Sequence, residues 1–422
     1  TMLQGAIKWY HVLLLFNILI PLMVIYLTGT IMMKRPGGYG ESDLLEKNPL
    51  YEIYESNSSY VKGIFFALPF FLIGLIPFIM RYTPIPGWLG FARDYTWPEL
   101  GISFLGSSGA FGIVQDGALY GPSGALSLLL SLFIPLSIAI MFITVYKSKT
   151  KELIIERTKY KEVEKEFTSS LFQLGNRIGD GIPAEIAFLK TAESTKGTAT
   201  EGFFRVVNEN IQRLGMNLER ALFDNRRGAV IFYPSEIIET SMKILVESVK
   251  KGLKVAARSL ISISEYVKNI KKINARLNDL LAEIISDMQS NMTFLAPLLS
   301  GIIIGLAGMI TSILGELGNI LGSDGTTGGG AGGFGEGLLG LFDVSTMLPT
   351  YWLQIVVGVY LIQVVFILTS TLVTIKAGRD PVQATSETGK NLKKSMIMYL
   401  IVAAGSIIGL TIVGSVALAG LT

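Results

Sequence analysis

The sequence predicts an all-α polytopic membrane protein of about six transmembrane helices, with one cytoplasmic antiparallel helical-bundle domain. Two observations lead there. Residues 147–291 hold 24 of the 36 Lys and Arg and 19 of the 33 Asp and Glu. On both sides of that stretch lie long apolar runs almost free of charge. A polar module set between clusters of apolar helices suits a protein that couples events in the cytoplasm to events in or beyond the membrane.

Roughly 20 apolar residues cross about 30 Å of hydrocarbon as a helix. In lipid the backbone must satisfy itself, so these runs are helices and not open strands. Six runs qualify: 11–33, 63–80, 125–146, 293–321, 352–376 and 395–419. The run 63–80 is short, and Pro69 and Pro77 predict a kink in it. The chain thus divides into a membrane region 1–146, a polar domain 147–291 and a second membrane region 292–422. The first run is followed by Lys34 and Arg35 without a small-residue cleavage site, so it reads as an anchor and not as a secretory signal.

Basic residues set the orientation. With the module inside, loops 34–62 and 377–394 are also inside. Leaving the module out, nine Lys and Arg (Lys34, Arg35, Lys47, Lys62, Lys376, Arg379, Lys390, Lys393, Lys394) face three outside (Lys8, Arg81, Arg93). Both ends are then external, as is loop 81–124, whose Trp88, Tyr95, Trp97 and Tyr120 suit a headgroup interface. The weakly apolar stretch 101–114 reads as re-entrant, or as a seventh span that would move the N-terminus inside. Both N-x-S/T sequons, at Asn57 and Asn291, fall inside and are expected to stay unmodified. The location is the plasma membrane, multi-pass.

Within the module, apolar residues recur at 3 and 4. A helix over 150–178 puts Phe167, Leu171, Leu174 and Ile178 on one face. Gly179–Gly181 ends it, and Pro183 opens the next helix, 183–194. Helices follow at 200–213, after which Gly215 breaks the chain, and at 217–224. A loop is expected at 225–234, then helices 235–250 and 253–290, the last running into the membrane without a true break. Gly181 with Glu185 and Ala187 is echoed by Gly215 with Glu219 and Ala221. Short helices joined this way predict a compact antiparallel bundle.

Signals for catalysis are sparse. The chain has no Cys and one His, His11, so a His- or Cys-based metal site is not expected. Gly389-Lys390-Asn391 is no P-loop, because the Ser/Thr and the upstream Gly are missing. Gly330-x-Gly332-x-x-Gly335 matches a dinucleotide fingerprint but lies in the Gly-rich run 322–340, a low-complexity external loop. No cofactor, metal or catalytic residue is expected. The basic clusters Lys147/Lys149/Lys151, Arg226-Arg227, Lys250-Lys251 and Lys268/Lys271-Lys272 suit a solvated surface. The first of them lies at anionic lipid headgroups, and an acidic protein surface is a second use for such clusters. Basic and aromatic residues do not interleave, so no nucleic acid is expected. Polar residues in the spans are few: Asn17, Glu316, Gln354 and Gln363. Gly301, Gly305 and Gly308, and Gly405 with Gly409, permit close helix packing.

The stretch from Glu166 through Leu171, Leu174, Gly175, Ile178, Gly181 and Pro183 to Glu185 and Ala187 resembles the opening of the type II secretion F domain. The run Met292–Gly301 and the residues Gln354, Gly358 and Tyr360 are similar to the membrane segments of its archaeal members. The resemblance covers roughly 150–420. It implies a non-enzymatic platform protein of a type IV pilus, archaellum-like or secretion machine. Its implied partners are a hexameric cytoplasmic secretion ATPase, pilin or archaellin-like subunits and a second copy in a homodimer. Many members carry two such domains; one is visible here, and loop 34–62 is too short for another. By type and place, Gly181, Pro183, Glu185, Gly215, Glu219, Arg226 and Arg227 are the candidate ATPase contacts, with loop 378–392 on the same side.

A membrane permease or transporter with a regulatory cytoplasmic domain is the alternative. It calls for helices broken at matched positions in two halves. Pro21, Pro69, Pro77, Pro135 and Pro297 do not pair that way, and Glu316 is the one ionisable residue among those four polar span residues.

Overall fold

The computed structural model describes residues 9–33, 54, 56–101, 109–115, 118–119, 121–233, 235–323, 349–378 and 380–419. Six helical stretches are long and apolar enough to cross a membrane: Tyr10–Thr30, Ser58–Tyr82, Ala125–Gly179, Leu253–Leu314, Thr350–Ala377 and Pro381–Val416. Each overlaps one of the six apolar runs. The Gly-rich run, most of loop 34–62 and residues 102–108 lie outside the described residues.

Helix α1 comprises Trp9–Leu14, a π-helical turn Leu15–Leu19, and Ile20–Met33. Helix α2, Ser58–Tyr82, begins earlier than expected and continues through Pro69 and Pro77. A proline frees the carbonyl four residues before it, which for Pro77 is Ile73; Tyr351 Oη donates to the adjacent Gly74 carbonyl at 3.0 Å. The connection to α3 (Ala125–Ser131) is pinned by Asp94. Its carboxylate accepts the backbone N–H groups of Tyr95, Phe111 and Ile113 at 2.8–3.0 Å. Trp97 is buried inside this connection, whereas Trp88 is 82% exposed. The described residues of the stretch 101–114, which are 101 and 109–114, form no helix; Val114–Gln115 pairs with Ala118–Leu119 as a two-stranded ribbon. Tyr120 lies outside the described residues.

Helix α4, Phe133–Gly179, is one unbroken helix of 47 residues, so the expected helix 150–178 is the far end of a span. At about 1.5 Å per residue it is some 70 Å long, and its last turns stand about 50 Å from the apolar part. Helices α5 (Ala184–Ser194), α6 (Glu201–Gln212), α7 (Leu218–Phe223), α8 (Ala229–Phe232) and α9 (Glu236–Val249) follow. Helix α8 occupies part of the expected loop 225–234: Gly228 starts it and the four apolar residues after it complete one turn. Helix α10, Leu253–Ser290, returns alongside α4 and passes through a π turn, Asn291–Leu295, into α11, Ala296–Ser323.

The order of levels in the module follows from its contacts. Helix α5 runs back along α4, bringing Ser194 to Gln173 and the Ala199 N–H to Glu166 (2.6 Å). Helix α6 runs out again. Helix α9 starts where Ser235 meets Glu164. Helix α10 comes home with Ala257 beside Gly179, and Ser264 donating to the Thr168 carbonyl at 2.8 Å. The core between them holds Phe167, Leu171, Leu174 and Ile178 fully buried, with Phe188, Phe203 and Phe204 packed against them. Lys271 closes the near end. Its ammonium donates to the Glu164 and Lys165 carbonyls and to Thr168 Oγ1 (2.9 Å). Burial pulls its pKa below the usual lysine range.

Helix α12, Thr350–Ala377, is the centre of the apolar region: 56% of its apolar window is buried against 17% for the first span. Helix α13, Pro381–Ala419, corrects the expected loop 377–394. Helix α12 ends at Ala377 and α13 begins at Pro381, where Asp380 Oδ1 accepts the Gln383 N–H at 3.0 Å and so caps α13 at its N-terminus. The other carboxylate oxygen of Asp380 forms an ion pair with Arg157 of α4. Both side chains are buried, so the pair ties the middle of α4, just beyond its apolar part, to the start of α13.

Breaking a buried pair by removing one charge costs about 3–5 kcal/mol, whereas replacing both is close to neutral. Asp380→Asn keeps a capping side chain and removes the charge. We expect it to lower the thermal unfolding midpoint in detergent sharply, and Arg157→Met/Asp380→Asn to restore most of the loss. Equal midpoints for the single and double variants would contradict the assignment.

Candidate functional site

Three chain reversals lie at the end of the module farthest from the spans. Each has a glycine in the left-handed region: Gly181 (φ 85°), Gly215 (φ 62°) and Gly252 (φ 117°). The first follows α4, the second follows α6 and the third joins α9 to α10. The echo between Gly181 and Gly215 is therefore one shared device, a left-handed helix stop followed by a new helix. Glu185 and Glu219 fall in the first turns of α5 and α7, where a carboxylate is favoured by the helix dipole. Pro183 is the cap residue of α5, one position earlier than an N1 proline.

The second and third reversals are joined. Lys250 Nζ lies 3.0 Å from Glu247 and 3.4 Å from Glu219. Hydrogen bonds to Glu247 and then Glu219 raise its pKa above the usual lysine range. Asn217 caps α7, accepting the Arg220 N–H at 2.9 Å. Arg226 and Arg227 sit on a tight turn in which both of their backbone N–H groups donate to Asp224 Oδ1 at 2.9 Å. Those two donors hold the Asp224 carboxyl below its usual range. Buried Asn210, near the far end of α6, donates to the Ala221 carbonyl (3.1 Å) and the Arg227 carbonyl (2.7 Å), which fixes the turn to the bundle. Both arginine side chains remain exposed.

Reading the sequence missed an exposed apolar patch on the flank of the module. Ile231 and Phe232 on α8, which leads back to Ser235 beside Glu164, are about half exposed. Lys254 and Arg258, one and two turns into α10, line a shallow groove with Val255, Ser259 and Ser262. The signal was present in Phe232 following Gly228, but a four-residue helix is too short to show a period. Glu185 sits on the first reversal, exposed and apart from the Glu219–Lys250 pair. The expected loop 378–392 does not join this surface, since it is helical from Pro381 and Asp380 meets Arg157 near the spans.

In the apolar region, Gly301 faces the Val402–Ala403 backbone, Gly305 faces Ser406 and Gly308 faces Leu128, so this stripe packs within the chain. Ser406 Oγ donates to the Gly301 carbonyl at 2.7 Å. Gly405 and Gly409 have open space beside them. Gln354 and Tyr399 are fully buried, and Asn391 donates to Thr369, whose hydroxyl meets Met292 Sδ. Asn17 lies in the π turn of α1 and Gln363 is half-buried on α12. The side chain of Glu316 lies outside the described residues. Lys149 stacks over the Tyr60 ring at 4.7 Å, at the edge of the spans. Among the described residues no group of three His, Asp or Glu is placed to hold a metal ion. No family model, curated protein or solved structure matches the chain.

A Cβ at Gly215 would meet no neighbour, so Gly215→Ala tests backbone conformation alone. The left-handed region costs a non-glycine residue about 1–2 kcal/mol, less for Asn. Thermal melts of the purified chain should rank wild type above Gly215→Asn and that above Gly215→Ala; an unchanged melt for Gly215→Ala would contradict the geometry.

Proposed function

We propose that this chain is the integral membrane platform of a type IV pilus-like filament assembly or secretion machine in the plasma membrane. It is not an enzyme in this reading. The module lies in the cytoplasm, receives force from a hexameric secretion ATPase, and passes motion through its spans to pilin or archaellin-like subunits. Two copies work together.

The observation that carries the reading is the position of the exposed end of the module. It carries Arg226 and Arg227 on a turn fixed by Asn210 and Asp224. Two long helices connect that end to the apolar region. Charge held rigidly away from the bilayer suits docking to an acidic protein surface. The resemblance of Glu166–Ala187 to the F domain supplies the identity of the partner. These residues form the end of α4, its reversal and the start of α5. The orientation rests on the basic residues of the short loops.

Buried Gln354, Tyr399 and Asn391 are the observation that favours the alternative, a permease with a regulatory cytoplasmic domain. Purification from native membranes separates the two. The platform predicts stoichiometric recovery of a secretion ATPase and small one-helix subunits, and Arg226→Glu/Arg227→Glu should lower ATPase recovery about tenfold, in keeping with loss of a charged contact. The melt of that variant should be unchanged, since both side chains point to solvent. Recovery of the chain alone, with solute flux in reconstituted vesicles, would overturn the platform and favour the permease.

A further inference from the structure

Between the module and the spans, α10 carries an apolar stripe that the chain itself does not cover. Tyr266, Ile270, Ile273, Leu277, Leu280 and Ile284 are spaced by 4, 3, 4, 3 and 4 residues. That is a heptad seam, with Ile270, Leu277 and Ile284 at a and Tyr266, Ile273 and Leu280 at d. Leu280 is 71% exposed, Tyr266 65% and Ile273 54%. The stripe is not the side facing the rest of the chain. Val267, Ile285 and Met288, which are buried or packed on its own cores, fall at positions b and e. Lys268, Lys271, Lys272 and Asp279 occupy f, b and c, so the seam is flanked by a polar helix surface lying outside hydrocarbon.

We propose that this stripe is the homodimer interface, a parallel two-stranded coiled coil with α10 of a second copy. Two features of the chain select that occupant. Helix α10 continues through Asn291–Leu295 into a span. Two copies in one membrane therefore present α10 parallel and at one height, which is the in-register arrangement a heptad seam requires. Charge does not oppose it within the seam, which ends before Asp287 takes the next d position. A parallel pair sets each g position against e of the partner's next heptad. Here those pairs are Asn269 with Asn274, Arg276 with Leu281, and Glu283 with Met288, none of them like-charged. The pairing deepens the platform reading by placing its dimer contact, and it rests on that reading only in taking α10 as continuous with a membrane helix.

The chain has no native cysteine, so single-cysteine variants report without background. Ile273→Cys, Leu277→Cys and Leu280→Cys are compared with Ala275→Cys and Ala282→Cys at f, which are also exposed. Each is expressed as the full chain and oxidised mildly in native membranes. Seam positions of a parallel pair approach within disulfide reach and f positions do not, so we expect about fivefold more cross-linked dimer at the seam. Leu280→Glu added to Leu277→Cys should abolish the cross-link, and Ala282→Glu should leave it. Three results would overturn the interface: dimers equally at seam and f, none at any seam position in membranes that contain the chain, or cross-linking to a species of another mass. Seam-phased dimers without a co-purifying ATPase would retain the interface while removing the platform reading. An ATPase recovered alongside seam positions that fail to cross-link would do the reverse.

Discussion

An α-helix satisfies its own backbone in hydrocarbon and in water alike, and this chain uses that property twice. Helix α4 leaves the apolar region and becomes the spine of the module; α10 returns from the module and becomes α11 after one π turn. Neither crossing needs a loop, so the module cannot swing on a flexible tether. Its core, built on Phe167, Leu171, Leu174 and Ile178, is assembled on the same helix whose other end lies among the spans. The Arg157–Asp380 pair then fixes the middle of that spine to the start of α13.

What was legible in the sequence follows from what is local. Apolar run length needs no knowledge of neighbours, and all six runs correspond to helices that meet a span's length and composition. The reversals at Gly181 and Gly215 were legible because left-handed backbone demands a residue without Cβ. The buried face of α4 was legible from its spacing.

The failures have a common physical source in tertiary partners. Residues 381–394 look like a charged loop, but Asp380 caps a helix there and Asn391 finds Thr369. Trp97 suits a headgroup interface by type, but Asp94 gathers three N–H groups and folds the connection over it. The two glycine stripes read alike in sequence, yet Gly301 and Gly305 meet another helix of the same chain while Gly405 and Gly409 face open space. The surface around Arg226 was half seen: its charges are local, but Asn210 and α8 place them.

The length of α4 has a mechanical consequence. A rigid rod that is pivoted at an anchor amplifies angle into distance. With about 35 Å between the Arg157 anchor and the Gly181 reversal, a tilt of about 5° displaces that reversal by about 3 Å. Displacements of that size are ordinary for a protein surface changing state, yet 5° is a small change within a bundle of packed helices. The lever works in both directions, so a push at the far end arrives among the spans as a small rotation with correspondingly larger force.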